Sequence, residues 1–205
     1  MKPNSRSRTA PSRATAHAPQ EVRIIGGRFK RSRLPVADRP GLRPTPSRVR
    51  ETLFNWLGQD LGGWRCFDAF AGTGALGFEA ASRGAAQVQM AEQDPSLVSG
   101  LQSVRERLHA DMVQILRGDG VALLQRCQNL DLVFLDPPFG DGGNEALFLA
   151  ALRAARQSIH GEGLVYLESP RVWSADDLAP LGLQAIRQDR AGAVSFALLR
   201  ALPSA

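Results

Sequence analysis

Hydrophobic residues are spread along the chain in three distinct regimes. Residues 1–20 contain no Val, Ile, Leu, Phe, Trp or Tyr, only Lys2, Arg6, Arg8 and Arg13 among small polar residues. Such a segment cannot bury enough surface to order itself and is read as a disordered basic tail. Residues 21–36 predict a β-hairpin, with Val22, Ile24 and Ile25 leading to a Gly26-Gly27 turn and Arg28, Lys30, Arg31 and Arg33 on the return strand. The stretch ADRPGLRPTP that follows is extended loop. Ser47 is a plausible N-cap for a helix over about 48–57, whose stripe is Val49, Leu53, Trp56 and Leu57, ended by Gly58.

Beyond residue 64, strands and helices alternate. Strands are expected at Cys66–Phe70, Gln87–Glu92, Met112–Leu116, Leu132–Leu135, Leu164–Leu167, Leu183–Arg187 and Val194–Leu199. Between them lie a helix closing at Gly84 and one capped by Asp94-Pro95 with Leu97, Leu101, Val104 and Leu108 on one face. Further helices are expected at Val121–Gln125, Glu145–Ser158 and Asp176–Leu181. Repeated βα units imply an α/β, Rossmann-like, doubly wound and mostly parallel sheet of seven strands. The last two strands form an antiparallel pair through Gly192. The organisation expected is a tail over 1–20, a hairpin-and-helix extension over 21–60 and the main domain over 61–205.

Composition narrows the classes. The chain has 205 residues, 43% apolar and 22% charged, ordinary globular proportions that exclude coiled coil and wholesale disorder. No apolar run reaches the roughly 20 residues of a membrane helix. Cys66 and Cys127 form no CxxC and are expected to be buried thiols in a reducing, cytoplasmic setting. His17, His109 and His160 form no metal-binding pattern, so no metal is expected, and His109 and His160 are read as surface helix residues. Trp56 and Trp173 are read as packing residues.

Charge adds a partner. Residues 1–50 hold 13 Lys and Arg against two acids, whereas the rest of the chain is net acidic. Of the 25 basic residues 23 are arginine, which binds phosphate bidentately and stacks on bases. A nucleic-acid partner is the first candidate, gripped by Arg23, Arg28, Lys30, Arg31 and Arg33. Each phosphate so neutralised steepens the salt dependence of binding by about 0.7–0.9 log units. The alternative for these residues is an edge strand kept positive against aggregation.

Two loops carry candidate chemistry. Asp68-Ala-Phe-Ala-Gly72-Thr-Gly74-Ala-Leu-Gly77 follows a strand and opens a helix, the setting of a nucleoside-cofactor loop, and Glu92 lies 20 residues beyond Gly72. That loop alone leaves NAD and S-adenosylmethionine open. Asp68 favours the second, because a carboxylate repels a pyrophosphate and attracts an α-amino group.

Asp136-Pro-Pro-Phe139 follows the most apolar strand. Two prolines stiffen the loop and fix one carboxylate, one proline carbonyl and one aromatic ring. An exocyclic base amine is a weak nucleophile. The Asp136 carboxylate and Pro137 carbonyl suit its two N–H groups, and Phe139 suits its ring. Methyl transfer would then proceed through positioning. The target base must leave its stack to enter. Glu168-Ser169-Pro170 ends at the same sheet edge, making Glu168 a minor candidate for the cleft wall.

The glycine loop and the Asp-Pro-Pro-Phe tetrapeptide resemble those of class I S-adenosylmethionine-dependent amino-methyltransferases. With R23IIGGRFKRSRLPV36 and G41LRPTPSRVRETLFNWL57, the chain resembles the RsmD family over about residues 21–200. That family methylates N2 of one guanine in 16S small-subunit ribosomal RNA. The resemblance implies that Asp68, Ala69, Phe70, Gly72 and Gly74 hold the methionine part of S-adenosylmethionine. Glu92 would hold the ribose, with Gln93 beside it and Asp94 as the alternative, and Asp119 with Gly120 would lie at the adenine. Asp136, Pro137, Pro138 and Phe139 would hold the base, and Arg43, Thr45 and Arg48 would lie near the cleft. The implied substrate is the RNA or an assembling subunit, and the implied state is a monomer. The competing readings are N6-adenine methylation of DNA or RNA, a NAD-dependent oxidoreductase, and a non-catalytic ribosome-assembly binder.

Overall fold

The computed structural model describes residues 21–37, 44–139 and 144–203. The expected tail over 1–20 lies outside them. The seven-stranded sheet comprises β3 (Arg65–Asp68), β4 (Gln87–Glu92), β5 (Val113–Arg117), β6 (Leu130–Leu135), β7 (Ile159–Ser169), β8 (Leu183–Ala191) and β9 (Val194–Ala201). Their order across the sheet is β5-β4-β3-β6-β7-β9-β8. The first five in that order are parallel, whereas β9 runs antiparallel to both β7 and β8. The doubly wound sheet and its antiparallel C-terminal pair match the expected architecture.

Helices α1 (Ser47–Trp56), α2 (Ala75–Ser82), α3 (Pro95–Leu108), α4 (Gly120–Leu124), α5 (Glu145–Ser158) and α6 (Ala175–Leu178) complete the fold. Apolar residues of β6 alternate between two cores, as the two-residue repeat of a strand requires. Leu132 and Phe134 join a core with Phe54, Phe78, Met90, Tyr166 and Phe196, and Val133 and Leu135 join one with Phe67, Phe148, Leu152 and Leu199. Full burial of one such side chain is worth about 1.5–3 kcal/mol.

Several expectations are corrected. Gly26-Gly27 does not form the hairpin turn. Strands β1 (Glu21–Arg23) and β2 (Arg33–Pro35) are short, and Arg28, Lys30 and Arg31 lie in the loop between them rather than on the return strand. That loop docks on the C-terminal end of α2. Arg28 N donates to the Ser82 carbonyl at 2.7 Å and Phe29 N to Ser82 Oγ at 2.8 Å. The approach requires glycine, because a Cβ on Gly27 would stand 1.8 Å from the Ser82 carbonyl oxygen. Tertiary docking thus overrides the local turn signal.

Ser47 is the first helical residue of α1, and Pro46 occupies the cap position without a side-chain hydrogen bond. Strand β3 ends at Asp68, before Phe70. On α3 it is Val98 that is buried with Leu101 and Val104, while Leu97 and Leu108 are half-buried. Segment 176–181 splits into α6 and a 3-10 turn at Ala179–Leu181. Cys66 is buried, but Cys127 is only half-buried. His160 lies on β7, not on a helix, and its Nε2 sits 3.0 Å from Asp131 Oδ1. No helix among the described residues is long and apolar enough to cross a membrane.

Candidate active site

In a parallel sheet, ligands gather at the carboxyl ends of the strands. Here β3 and β4 end in Asp68 and Glu92, Asp136 lies just beyond the end of β6, and Glu168 is one residue before the end of β7. Asp68 is buried, its Oδ1 accepting from Phe70 N at 3.4 Å and its Oδ2 from Gly77 N at 3.2 Å. Burial pushes its carboxyl up to about 7, against the lowering effect of those two backbone donors. Ala69–Gly74 then wraps the sheet edge.

Glu92 fastens that wrap. Its Oε2 accepts Gly72 N at 3.0 Å and its Oε1 accepts Asp94 N at 2.8 Å. Asp94 caps α3, accepting Ser96 N and Leu97 N, so it is Glu92 that stands at the strand end beside the glycine loop. Gln93 Nε2 donates to Asp119 Oδ2 at 3.2 Å, and Asp119 also caps α4 through Ala122 N. Gly120 presses against the glycine loop: a Cβ there would lie 1.8 Å from the Ala69 carbonyl oxygen. Asp68 through Gly74, Glu92, Gln93, Asp119 and Gly120 are therefore brought together.

Asp136 is half-buried at the mouth of the neighbouring strand, with Pro137 buried and Pro138 exposed beyond it. Thr45 Oγ1 donates to Asp136 Oδ2 at 3.5 Å, so the segment before α1 closes over the loop. Burial, and then the charges of Glu168 and Asp68, push the Asp136 carboxyl well above the usual carboxylate range. Burial also raises Glu168, against the donation of Tyr166 Oη to its Oε1 at 2.9 Å and a hydrogen bond from the Thr45 hydroxyl. Tyr166 is itself raised, by burial and then by the Glu168 charge. Phe139 is half-buried, its ring centroid 6.3 Å from that of Phe148 on α5. Among the described residues no His, Cys, Asp and Glu cluster suits a metal ion.

The expected RNA-binding residues separate into two places. Arg23, Arg28, Lys30, Arg31 and Arg33 are exposed. The loop bearing most of them docks at the C-terminal end of α2, the end away from the glycine loop. Arg107, in the last turn of α3, donates to the Arg33 carbonyl there at 2.5 Å. Thr45 lies in the cleft, and Arg48 is exposed on the first turn of α1, where it shares a pocket of about 120 Å³ with Arg190 and Phe196. Arg43 lies outside the described residues.

Sequence reasoning missed the group that ties these parts together. Glu79, fully buried on α2, accepts Ile25 N at 2.9 Å and Gly26 N at 2.8 Å. It pairs with Arg50 Nη1 at 3.2 Å and Arg83 Nη2 at 2.9 Å. Arg50 also donates to the Arg23 and Thr45 carbonyls, and Arg83 lies over the Phe54 ring at 4.6 Å. The four-residue spacing of Glu79 and Arg83 was a legible signal. Arg50, next to the apolar Val49, carried none.

A doubly wound sheet with a glycine loop and an Asp-Pro-Pro-Phe loop side by side at one edge defines a Rossmann-like methyltransferase. The chain belongs to the family described as Conserved hypothetical protein 95, whose model matches residues 22–200. It is 38% identical over 179 residues to the Ribosomal RNA small subunit methyltransferase D of Escherichia coli strain K12, covering 87% of this chain and 89% of that one. The protein of the same name from Haemophilus influenzae is 35% identical over 189 residues, covering 90% and 96%. The solved structure of yhhF from Escherichia coli superposes with a TM-score of 0.75 at 32% identity, covering 89% of this chain and 98% of that one.

Proposed function

We propose that the chain methylates the exocyclic N2 of one guanine in small-subunit ribosomal RNA, with S-adenosylmethionine as donor and no metal. The observation that supports it is the Asp136 carboxylate at the end of the strand next to the glycine loop, near enough to Asp68 for their charges to interact. The names of the relatives supply the RNA.

The residues fit the donor. Asp68 suits its amino group, Ala69, Phe70, Gly72 and Gly74 its methionine backbone, and Glu92 with Gln93 its ribose. Asp119 and Gly120 suit its adenine. When bound, S-adenosylmethionine supplies an electrophilic methyl carried on a sulfonium. The rest belongs to this chain. Asp136 and the Pro137 carbonyl each accept one N–H of the base amine, which concentrates the nitrogen lone pair toward the methyl. Pro138 stiffens the turn, and Phe139 offers the free part of its ring to the base. Asp136 takes the proton that N2 sheds as its new bond to carbon forms, and a carboxylate made more basic by burial suits that task. Thr45 steadies Asp136 by donating to it.

Exposed Arg48 stands at the cleft rim and grips the RNA near the target. Arg23, Arg28, Lys30, Arg31 and Arg33 meet phosphates farther away. The chain works in the cytoplasm as a monomer, on naked RNA or an assembling subunit. Asp136→Asn tests the reading: turnover on small-subunit RNA falls about 10²–10³-fold, the scale for losing one positioned hydrogen-bonding group, while calorimetric cofactor binding persists. Near-normal turnover, or N6-methyladenosine in place of N2-methylguanosine in a nucleoside digest, overturns it.

A further inference from the structure

Glu168 has no part in the mechanism above, yet it stands beside the reacting group. The parallel register pairs Leu135 with Leu167, so Asp136 and Glu168 leave neighbouring strands at one level. Phe134 and Tyr166, two residues back, both face the core shared with α1, and strand alternation turns Asp136 and Glu168 to that same side. Neighbouring strands are about 4.8 Å apart, within the span of one base edge.

Glu168 is held rather than loose. It is only 4% exposed, and Tyr166 Oη engages its Oε1 at 2.9 Å. Its antiparallel partner Phe196 stacks on Trp56 with centroids 5.3 Å apart, which walls the strand end with rigid rings. Among the described residues neither Asp136 nor Glu168 forms an ion pair with Lys or Arg. The Thr45 hydroxyl also reaches it, and a carboxylate has about four lone-pair sites, so these two hydroxyls leave it able to accept another donor.

We infer that Glu168 is the residue that selects guanine, by accepting the N1–H of the target base while Asp136 and the Pro137 carbonyl hold the N2 amine. The inference rests on the reading given under Proposed function and deepens it. Guanine presents N1–H and the N2 amine as adjacent donors, so two acceptors side by side match that edge. Adenine presents a bare N1 lone pair beside its amine. Opposite Glu168, two lone pairs would meet with no proton between them. A site built to bond a substrate N–H rejects an analogue lacking it far more strongly than an apolar pocket rejects a misfit, by as much as about 10⁴–10⁵-fold.

The test compares two RNA substrates that share the 2-amino group and differ beside it. Small-subunit rRNA fragments carry either guanine or 2-aminopurine at the mapped target; 2-aminopurine keeps the amine, lacks O6 and has a bare nitrogen at N1, so the change in ratio on altering Glu168 isolates the N1 contact. The wild-type chain prefers guanine by at least about 100-fold in kcat/KM. The E168Q variant, whose amide can either accept or donate, narrows that ratio to below about tenfold, with the 2-aminopurine rate maintained or raised. Equal wild-type rates on the two bases overturn the inference. So does a variant that loses the same factor on both, the signature of a merely structural role. The wild-type ratio is readable even if the variant fails to fold. Absence of N2 product from wild-type chain on guanine overturns the proposed function itself, whereas guanine methylation with no discrimination overturns only the role of Glu168.

Discussion

Two groups of acids, buried except for the half-buried Asp136, lie on the same face of the sheet and behave oppositely. At the hairpin junction, Glu79 receives two backbone N–H groups and two guanidinium groups. At the strand ends, Asp68, Asp136 and Glu168 receive two weak backbone donors and two hydroxyl groups. Both groups are taken from water. The first has its charge compensated and serves as a fastening between the N-terminal segment and α2. The second is made more basic by burial, reinforced at Asp68 and Asp136 by neighbouring acids, with no guanidinium to offset it. Burial of a carboxyl does not by itself mark a functional site; burial with incomplete compensation makes it a candidate.

The largest effect expected from this contrast is at the junction. Glu79→Ala strands two buried guanidinium groups and should cost about 3–5 kcal/mol in denaturant unfolding. A loss below 1 kcal/mol would remove the distinction between the groups. Asp136→Asn, by contrast, removes a half-buried, uncompensated carboxyl while keeping an oxygen for Thr45. Its unfolding free energy should equal or exceed that of the wild-type chain even as turnover collapses.

A smaller effect comes from pH. With Asp68 raised to about 7 in the folded chain, against about 3.9 unfolded, the folded state binds the extra proton between those values. Stability from this group is full below pH 4 and is lost as pH rises through 7. Measured with no cofactor added, the stability of the wild-type chain relative to Asp68→Asn should fall by about 1 kcal/mol for each pH unit between 5 and 7. A constant or rising difference contradicts the assignment. The smallest effect belongs to the exposed pair of Arg33 and Glu21 at 3.3 Å, where Arg33→Gln should cost no more than about 1 kcal/mol and less in high salt.

Much of the fold was legible because its signals are local. Strand β4 and helix α5 have the bounds that hydrophobic periodicity indicated, since burial of one face dictates the pattern within each segment. The glycine loop and the Asp-Pro-Pro-Phe loop were equally legible, because backbone chemistry confines each to a strand end. The Gly26-Gly27 pair misled for the complementary reason. Its spacing suits a hairpin turn, but its conformation is set by Ser82 and Glu79, more than 50 residues away.

The sequence by itself therefore determined the order of elements, the two chemical loops and the family to which they belong. Only the tertiary structure decided which acids are compensated. Glu79 pairs with Arg50, and Asp136 feels the charge of Glu168 on the neighbouring strand, across separations that no local pattern encodes. Whether a carboxyl is a fastening or a reactive group depends on the donors that the fold brings to it, because in a water-poor interior nothing else can satisfy its charge.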